Sequence, residues 1–299
     1  MELRVLNYFL AVAREQSISA AAQALHISQP ALSTQLKLLE EEVGRQLFIR
    51  GSKGTRRVVL TDEGLLLRKR AEEIMMLVRK TEDELANADE TIVGDVYIGA
   101  GETEIIRCFA RAAKKLRAGH PDIRYHISSG NAEHVLEYLD KGIFDFGLLL
   151  TEVDAQKYDS VELPLRDVWG VLMPRGCPLA EKESVTPGDL RGAPLIISHQ
   201  CGDAQRLAGW LGAGTDELNV AATYNLVYNA SLLVSEGLGF AVALDGLINT
   251  AGTNICFRPL EPRLEARAYI VWKKRQVFSK AAAAFLDCLR GSFGGLSEA

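Results

Sequence analysis

The sequence predicts a chain of mixed architecture: a small helical N-terminal part ending in a β-hairpin, one long helix, and a larger α/β part. Three observations predict it. The first 50 residues show helical periodicity broken by a short turn, residues 61–87 form one uninterrupted helical pattern, and strands alternate with helices from residue 91 onward. A length of 299 residues suits about two domains, each able to bury a core.

Composition indicates a soluble, cytoplasmic protein. The chain is 47% hydrophobic and 24% charged, and it contains no apolar run approaching the roughly 18 residues that span a bilayer. Residues 1–10 lack the features of a secretory signal. Five cysteines, an odd number, favour a reducing compartment over a disulfide framework.

The distribution of charge is more informative than its total of −5. Residues 1–60 carry a net +3, residues 61–90 a net −4, and the rest of the chain a net −4. The positive charge is therefore concentrated in the first 60 residues, and the acidic charge lies in the rest of the chain.

A first helix is predicted, with a buried stripe of Leu3, Leu6, Phe9, Leu10 and Ala13. Two short helices joined by a tight turn are predicted to follow it. Ser19 is predicted to cap the helix over residues 20–25, and residues 26–28 break the pattern. Gln29 and Pro30 begin the next helix, because proline is tolerated in a first turn.

The helix that begins at Gln29 has an apolar back and a polar front. Its predicted buried stripe is Leu32, Leu36, Leu39 and Val43, and its opposite face presents Gln29, Ser33, Thr34 and Lys37. An apolar back and a polar front near the N-terminus are what a helix-turn-helix needs in order to reach base edges.

A basic hairpin is predicted next. Residues 47–50 and 57–60 are strand patterns, and Gly51–Gly54 between them is typical of a turn. The tip and flanks carry Arg50, Lys53, Arg56 and Arg57, which suits a wing that contacts phosphates or the minor groove.

One long helix, capped by Thr61, is predicted to run to about Asn87. Its apolar positions alternate spacings of four and three, a heptad seam typical of helix pairing. The seam consists of Leu67, Ala71, Ile74, Val78, Thr81 and Leu85. The alternative is a helix packed on its own domain. Dimerisation would present two DNA half-sites spaced by whole helical turns.

The α/β part is predicted to have largely parallel sheets. Its strands are placed at 95–100, 123–128, 144–150, 168–173, 195–198, 220–223 and 240–244, and its helices at 103–117, 131–141, 203–211, 225–236 and 278–290.

The N-terminal motifs together resemble the winged helix-turn-helix of LysR-type transcriptional regulators. The resemblance rests on LNYFLAVAREQSISAAAQALHISQPALSTQLKLLEEEVGRQLF, the following Arg50, and the run VVLTDEG over residues 58–64. Glu63 departs from the alanine more common there. The resemblance implies DNA contacts from Ser28, Gln29, Pro30, Ser33, Thr34, Lys37, Arg50, Lys53 and Arg56.

The resemblance extends more weakly over the whole chain, through segments such as EGLGFAVAL at residues 236–244. It implies a winged helix-turn-helix at 1–60, a dimerisation helix at 61–90, and an effector domain at 91–299 like a type 2 periplasmic binding protein. Its subdomains would be 91–162 with 268–299, and 163–267. The implied partners are promoter DNA, a small-molecule effector, further copies of the chain as a dimer or tetramer, and RNA polymerase.

Ligands of open α/β sheets bind at the carboxyl ends of strands. The candidates there are Gly101, Glu102, Thr103, Ser128, Ser129, Asn131, Ser198, His199, Gln200, Thr223, Tyr224, Asn225 and Asp245. Because Glu102 and Asp245 would repel an anion, we expect an effector with a cationic or neutral part, such as an amino acid or a nucleoside-like compound.

Cys201 offers an alternative to a bound effector. Peroxide-sensing members of the family resembled carry a reactive cysteine near this point, and a helix N-terminus and His199 could lower its thiol pKa. Those sensors have a second cysteine shortly afterwards, where this chain has residues 209–211, so Cys177 would have to serve. Otherwise Cys201 is a structural or effector-lining thiol.

No enzymatic, cofactor or metal motif is predicted. The run Gly99–Glu104 begins like a dinucleotide fingerprint but places an acid at the third glycine. Cys108, His120, His126 and His134 lack metal-ligand spacing, and no Gly-x-Ser-x-Gly motif occurs. An enzyme built on the α/β part remains the other alternative, since catalytic triads are spatial.

Overall fold

The structure is a computed structural model that describes residues 1–50, 57–86, 92–200 and 202–293, without the side chains of Arg50, Glu84 and Ala86. The chain divides into two compact units, an N-terminal unit over Met1–Ala88 and a C-terminal unit over Asp89–Ala299. Among the described helices, none is long and apolar enough to cross a membrane.

The N-terminal unit consists of helices around one core and a small antiparallel hairpin. The helices are α1 (Leu3–Glu15), α2 (Ile18–Ala24), α3 (Gln29–Val43) and α4 (Asp62–Ala86), and the strands are β1 (Phe48–Arg50) and β2 (Val58–Leu60). Phe48 pairs with Leu60 and Arg50 with Val58, as expected for the arms of a wing.

The first two helices differ in detail from the sequence prediction. Leu3 is 46% exposed, and the buried face of α1 instead includes Val5 and Val12 beside Leu6 and Phe9. The predicted stripe therefore lies partly to one side of the buried face of α1, because it left out the valines.

The predicted cap of α2 is also wrong. Helix α2 begins at Ile18, and Ser17 caps it by accepting a hydrogen bond from Ala20 N–H at 3.3 Å. Ser19 lies inside the helix.

Helix α3 forms as predicted up to its last turn. Ser28 caps it, with the hydroxyl accepting from Ala31 N–H at 3.3 Å, and Leu32, Leu36 and Leu39 are buried. The prediction that Val43 is buried is wrong. It is 38% exposed, because it is the final residue before a left-handed Gly44 that ends the helix.

The carboxylate of Glu40 ties α3 to the hairpin. Its Oε1 accepts hydrogen bonds from Leu47 N–H at 2.8 Å and Phe48 N–H at 3.1 Å. Hydrogen bonds to a charged group are stronger than neutral ones. One acidic side chain therefore satisfies two amides of the chain that enters β1, which fixes where the wing starts relative to α3.

Helix α4 begins at the predicted cap, since Thr61 Oγ1 accepts from Gly64 N–H at 3.0 Å. The first half of the predicted seam belongs to the unit's own core: Ala71 is completely buried, and Leu67 and Ile74 pack against that core. Ala71 is therefore unavailable to a partner, and its assignment to a dimer seam is wrong. Leu85, farther along, is 72% exposed.

The C-terminal unit is an α/β structure with nine strands in one sheet. Its strands are β3 (Gly94–Ala100), β4 (Ile123–Ser129), β5 (Phe146–Leu149), β6 (Tyr158–Pro174), β7 (Leu195–Ser198), β8 (Val220–Tyr224), β9 (Phe240–Leu244), β10 (Ile255–Pro259) and β11 (Glu265–Lys273). Its helices are α5 (Ile106–Gly119), α6 (Ala132–Asp140), α7 (Pro187–Leu190), α8 (Asp203–Leu211), α9 (Val227–Ser235) and α10 (Lys280–Gly291).

The strand order is β4-β3-β5-β11-β6-β9-β7-β8, with β10 paired to β6. The pairs near the two ends are parallel, but β11 pairs antiparallel with β5 and β6, and β6 pairs antiparallel with β9 and β10. The expectation of a largely parallel sheet is therefore wrong at its centre. All seven predicted strands and five predicted helices are present, whereas β10, β11 and the first half of β6 were missed.

Strands β6 and β11 run through both halves of this unit. Val161 of β6 packs in a core around Phe109, Phe146 and Phe285, and Trp169 of the same strand packs in a second core. The pairing of the two strands shifts register between Arg267 and Ala268, opposite residues 163–166. Two α/β halves thus share two continuous strands, with an irregularity where they meet.

A buried carboxylate lies on β6 beside this irregularity. Asp167 accepts a short hydrogen bond from the Thr103 hydroxyl, and Thr103 Oγ1 accepts from Ile105 N–H at 3.0 Å. Burial raises the pKa of Asp167 above its ordinary value, the bond from Thr103 opposes that rise, and the charges of Glu104 and Asp245 add to it. The loop after β3 is thereby fastened to β6.

Gly64 is expected to tolerate no larger residue. A Cβ at Gly64 would lie 2.2 Å from the backbone oxygen of Leu47, so Gly64→Ala forces the hairpin and α4 apart. Overpacking of this kind costs about 1–3 kcal/mol. Native-state hydrogen exchange should show faster opening of α3 and α4 in the variant.

Gly209→Ala is the matched control, because a Cβ there meets nothing within 4 Å inside α8. It should leave exchange in α3 and α4 unchanged. Equal exchange in Gly64→Ala and the wild type would contradict the close contact.

Asp167→Asn is expected to raise stability at neutral pH. Because the pKa of Asp167 is raised in the folded state, the folded protein binds more protons than the unfolded chain. The stability of the wild type therefore falls as pH rises from the ordinary range of aspartate through the raised pKa. Asparagine keeps an oxygen for Thr103 and removes this penalty. Thermal midpoints of the two proteins should therefore differ at pH 7 and converge in acid.

Asp189→Asn supplies a control of opposite sign. The hydrogen bond from Lys182, with those from Thr186, lowers the pKa of Asp189 to about 2. Its contribution is present above the ordinary range and disappears as pH falls toward about 2. Asp189→Asn should thus be destabilising at pH 7. A lower midpoint for Asp167→Asn at pH 7 would show that its burial is not the dominant effect.

Candidate functional site

The exposed front of α3 is the candidate DNA-binding surface. Ser28, Gln29, Pro30, Thr34 and Lys37 are exposed, and Ser33 is half-buried beside them. The structure thus brings the six predicted residues of this helix to one region of the N-terminal unit.

Local bonds decide which of these side chains are available. The Ser28 hydroxyl caps the helix, and Thr34 Oγ1 donates back to Pro30 O at 2.9 Å. Lys37 lies 3.6 Å from Glu41, but it is 71% exposed, and such surface pairs contribute little. The side chains of Gln29 and Lys37 can therefore contact DNA without breaking hydrogen bonds or ion pairs that contribute much to stability.

The turn before α3 sets its direction. His26 has φ of 56°, a left-handed conformation unusual for a residue other than glycine. Ile27 N–H donates to Ala22 O at 3.0 Å and closes the turn. The polar front of α3 is therefore positioned by backbone geometry at the end of α2.

The wing is described only in part. The tip with Lys53 and Arg56, and the Arg50 side chain, lie outside the described residues. Arg57 is described, and its Nε donates to Gln16 Oε1 at 2.9 Å. This bond, with Val58 N–H donating to Gln16 O at 2.9 Å, holds β2 against the end of α1.

The C-terminal unit contains a cleft cavity at the carboxyl ends of strands β3, β5, β7 and β8, with a volume of about 840 Å³ including its open mouth. Its lining combines polar and apolar side chains from both halves of the sheet. The lining residues are Gly101, Glu102, Asn131, Ala132, Glu133, Leu148, Leu149, Leu150, Thr151, Trp169, Ser198, Gln200, Asp203, Arg206, Tyr224, Asn225, Val227, Leu244 and Leu247.

A second cavity, lined mainly by polar residues, adjoins it and has a volume of about 670 Å³ including its open mouth. Its lining residues are Glu102, Ser129, Gly130, Asn131, His134, His199, Gln200, Asn225 and Leu226. The two cavities share Glu102, Asn131, Gln200 and Asn225, so these four residues stand between an apolar chamber and a polar one.

Nine of the predicted ligand residues line one or both cavities: Gly101, Glu102, Ser129, Asn131, Ser198, His199, Gln200, Tyr224 and Asn225. Cys201 lies outside the described residues.

Four predicted residues line neither cavity. The hydroxyl of Thr103 is engaged by Asp167, and Ser128 and Thr223 precede cavity residues in their strands, so their side chains point to the opposite face. Asp245 is exposed and accepts a hydrogen bond from Gly246 N–H at 2.8 Å. The prediction that these four residues bind the effector therefore has no support from the two cavities, and it stays a prediction.

Glu102 bridges the two halves of the cleft. It follows β3 in the first half, and its Oε2 accepts a hydrogen bond from Val227 N–H, at the start of α9 in the second half, at 2.7 Å. The amides at a helix start attract negative charge. Glu102 thus occupies the position at α9 that would otherwise favour an anionic ligand.

Asp203 and Arg206 form the charged pair of the cleft. Arg206 Nη1 lies 3.2 Å from Asp203 Oδ1, and its guanidinium lies 6.0 Å from the centre of the Trp169 ring. Burial raises the pKa of Asp203, and the hydrogen bond from Ser198 and the charge of Arg206 oppose that rise. Burial, with the charges of Asp203 and Glu102, likewise raises the pKa of Tyr224.

Two donors in the cleft differ in how they are satisfied. Tyr224 donates its hydroxyl hydrogen to Val242 O at 2.8 Å. Trp169 is only 7% exposed, and its Nε1 is buried with no hydrogen-bond partner among the described residues. A buried donor without an acceptor costs about 1–3 kcal/mol, so the indole N–H of Trp169 carries such a cost in this structure.

The sequence analysis missed the apolar and charged walls of the cleft. Trp169, Asp203 and Arg206 lie inside predicted elements, and Leu148–Leu150 form the end of a buried strand. Trp169 in an otherwise aliphatic strand and the acid–base pair at the start of α8 were the available signals. In the described part of the chain, no group of three or more His, Cys, Asp or Glu residues could hold a metal ion.

Comparisons with known proteins match both units. Residues 3–65 match the family model "Bacterial regulatory helix-turn-helix protein, lysR family", and residues 90–294 match "LysR substrate binding domain". The solved structure of CbnR, a LysR family transcriptional regulator, superposes with a TM-score of 0.77 at 21% identity, covering 98% of this chain and 99% of that one.

Curated relatives match this chain over about two thirds of its length or all of it. The chain is 29% identical to a hydrogen peroxide-inducible genes activator of Pectobacterium carotovorum subsp. carotovorum, over 100% of this chain and 99% of that protein. It is 32% identical to the regulator BsdA of Bacillus subtilis (strain 168), over 66% of this chain and 67% of that protein. With family models matching the DNA-binding motif and more than half of the chain beyond it, this protein belongs to the LysR family of DNA-binding transcriptional regulators.

Proposed function

We propose that a small molecule bound in the cleft of the C-terminal unit controls how this regulator acts on DNA. The observation that carries the proposal is the cavity itself, since residues of both halves line it, from Gly101 and Asn131 to Ser198 and Val227. A ligand that touches both halves favours the arrangement in which its contacts are best. The regulator would act in the cytoplasm, where bacterial DNA lies.

DNA recognition is assigned to the front of α3 and to the wing. Gln29, Ser33, Thr34 and Lys37 would reach base edges in the major groove, with Ser28 and Pro30 beside the backbone. Arg50, Lys53 and Arg56 would contact phosphates or the minor groove, as the sequence predicts. The solved complex of CbnR with its target DNA, whose TM-score to this chain is 0.76, shows a similar fold bound to DNA.

Dimerisation is assigned to α4. Because Ala71 is buried in its own unit, the contact surface would use outward apolar residues along the helix, with Val78 and Leu85 from the predicted seam. The exposed large apolar side chains of α4 are Leu65, Leu66, Met76, Leu77 and Leu85. Exposed apolar residues of this number favour burial against a second helix. Pairing of dimers into tetramers and contact with RNA polymerase belong to the same proposal.

Regulation without turnover is the favoured mode. The family match supports this mode, because both family models describe regulators. In the cleft, Ser198 donates a hydrogen bond to Asp203, but that carboxylate is also paired with Arg206. An enzyme would release product from any compound that stabilises the protein. Recovery of the bound compound unchanged after incubation distinguishes the two functions.

Redox sensing through Cys201 is the second candidate. Relatives named hydrogen peroxide-inducible genes activators support it. Gly209, Trp210 and Leu211 provide no second thiol in α8, and Cys177 lies at the start of a separate 3₁₀ turn. Loss of an oxidant response in Cys201→Ser would favour this function, whereas an unchanged response would exclude it.

Gln29→Ala is expected to relax base preference at one position of the DNA site by about 1–3 kcal/mol, because glutamine can form paired bonds with a base edge. Arg56→Ala should instead weaken binding to all sequences alike and reduce the salt dependence of affinity. Binding measured against a panel of single-base variants at several salt concentrations separates the two effects.

Gln23→Ala, an exposed glutamine on α2, is the matched control. It should leave the ranking of the base variants unchanged. A Gln29→Ala protein that ranks them like the wild type would remove α3 from base recognition.

A metabolite screen on the full chain is expected to find a stabilising ligand that alters DNA binding. A ligand at about 100 times its Kd adds about 2.7 kcal/mol of stability, which is visible as a raised thermal midpoint. Trp169→Phe should weaken the response to that ligand, because the variant replaces an indole ring that lines the cavity with a smaller ring.

Trp272→Phe is the control, since Trp272 is buried in the other hydrophobic core and does not line the cavity. It should respond like the wild type. A saturating ligand that leaves the DNA footprint, DNA affinity and transcription unchanged would refute control through the cleft.

A further inference from the structure

We propose that the effector is an apolar amine, with its ammonium group at Glu102 and its hydrophobic body against Trp169 and the leucines of the cavity. The inference rests on the proposed function, because it assigns a chemical class to the ligand of the same cleft. It follows from three features of the lining: the free oxygen of Glu102, the balance of charge, and the apolar wall.

Within the described part of the chain, only one carboxylate oxygen of Glu102 accepts a hydrogen bond. Its Oε2 accepts from Val227 N–H, while Oε1 has no hydrogen-bond partner among the described residues. Glu102 lines both cavities, so this second oxygen belongs to a side chain at the junction of the apolar and polar chambers. An ammonium group is a strong donor for such a carboxylate oxygen, and it can bind while the bond to α9 is kept.

The charge of the apolar chamber is negative. Its described lining contains Glu102, Glu133 and Asp203 against a single guanidinium, that of Arg206, which is engaged by Asp203. Glu133 has no ionic partner in the described part of the chain. A carboxylate ligand would meet two carboxylates and no uncommitted cation of this lining, whereas an amine meets opposite charge.

The rest of the chamber suits a hydrophobic body. Leu148, Leu149, Leu244 and Leu247 line it together with the Trp169 ring. Leu148 and Leu149 belong to one half of the cleft, and Leu244 and Leu247 to the other, so the body of the amine would have an apolar surface on both sides.

The test uses three probes that share a phenylethyl body and differ in charge: 2-phenylethylamine, 2-phenylethanol and 3-phenylpropanoate. Each is titrated calorimetrically into the full-length protein at pH 7, up to about 10 mM. The amine should bind about tenfold or more tightly than the alcohol, and the acid should bind most weakly.

Glu102→Gln should reduce amine affinity about tenfold and leave the alcohol nearly unchanged, because the amide keeps an acceptor for Val227 N–H but loses the charge. Glu104→Gln is the matched control. Glu104 lies two residues away, pairs with Arg107 and does not line either cavity, so its variant should bind the amine like the wild type.

Three results would overturn the inference: acid binding as tight as amine binding, amine affinity equal in Glu102→Gln and Glu104→Gln, or no amine binding in the titrated range. Failure of the proposed function is a separate result. It is recognised when no compound of a broad metabolite screen, of any charge, changes DNA binding. An acidic effector that acts through Trp169 would preserve the proposed function and exclude the amine.

Discussion

The pairing of β6 with β11 is the constraint on which the C-terminal unit depends. Strand β6 spans 17 residues and β11 nine, and their ladder passes from one hydrophobic core to the other. Its register shift lies opposite residues 163–166, where Pro164 has no N–H to donate. The ladder is therefore interrupted at one place and intact on both sides, so the two halves are held together by two continuous strands with one break in their pairing.

The cleft follows from that connection. Because the loops after β3 and β5 belong to one half and those after β7 and β8 to the other, their polar ends face the same cavity. Glu102 joins them directly through Val227 N–H at 2.7 Å. Thr103, the residue after Glu102, is held against β6 by its hydrogen bond to Asp167, beside the irregularity of the ladder. Neighbouring residues of one loop thus contact both the shared strand and the opposite half.

Much of this arrangement could be predicted from local pattern, and the remainder could not. The strand and helix periods located seven strands and five helices, and strand ends located nine cavity residues, because both depend on neighbours in sequence. Strand β11 pairs with residues about a hundred positions earlier in the chain. Its charged residues interrupt the apolar pattern by which a strand is recognised in the sequence. Ala71 fitted a heptad seam equally well whether its partner was another chain or α1. Only tertiary contacts decide such cases.

The two oxygens of Glu102 would link the binding of the proposed amine to the contact between the two halves of the cleft. A ligand ammonium at Oε1 would gain its full contact only while Glu102 is positioned by the hydrogen bond that Oε2 accepts from Val227 N–H. The apolar body of the ligand would contact leucines from both halves. Binding and the bridge would therefore support each other rather than compete. The resulting shift between arrangements can be no larger than the ligand's differential affinity for them, so a ligand that touched one half alone would bind without a signal.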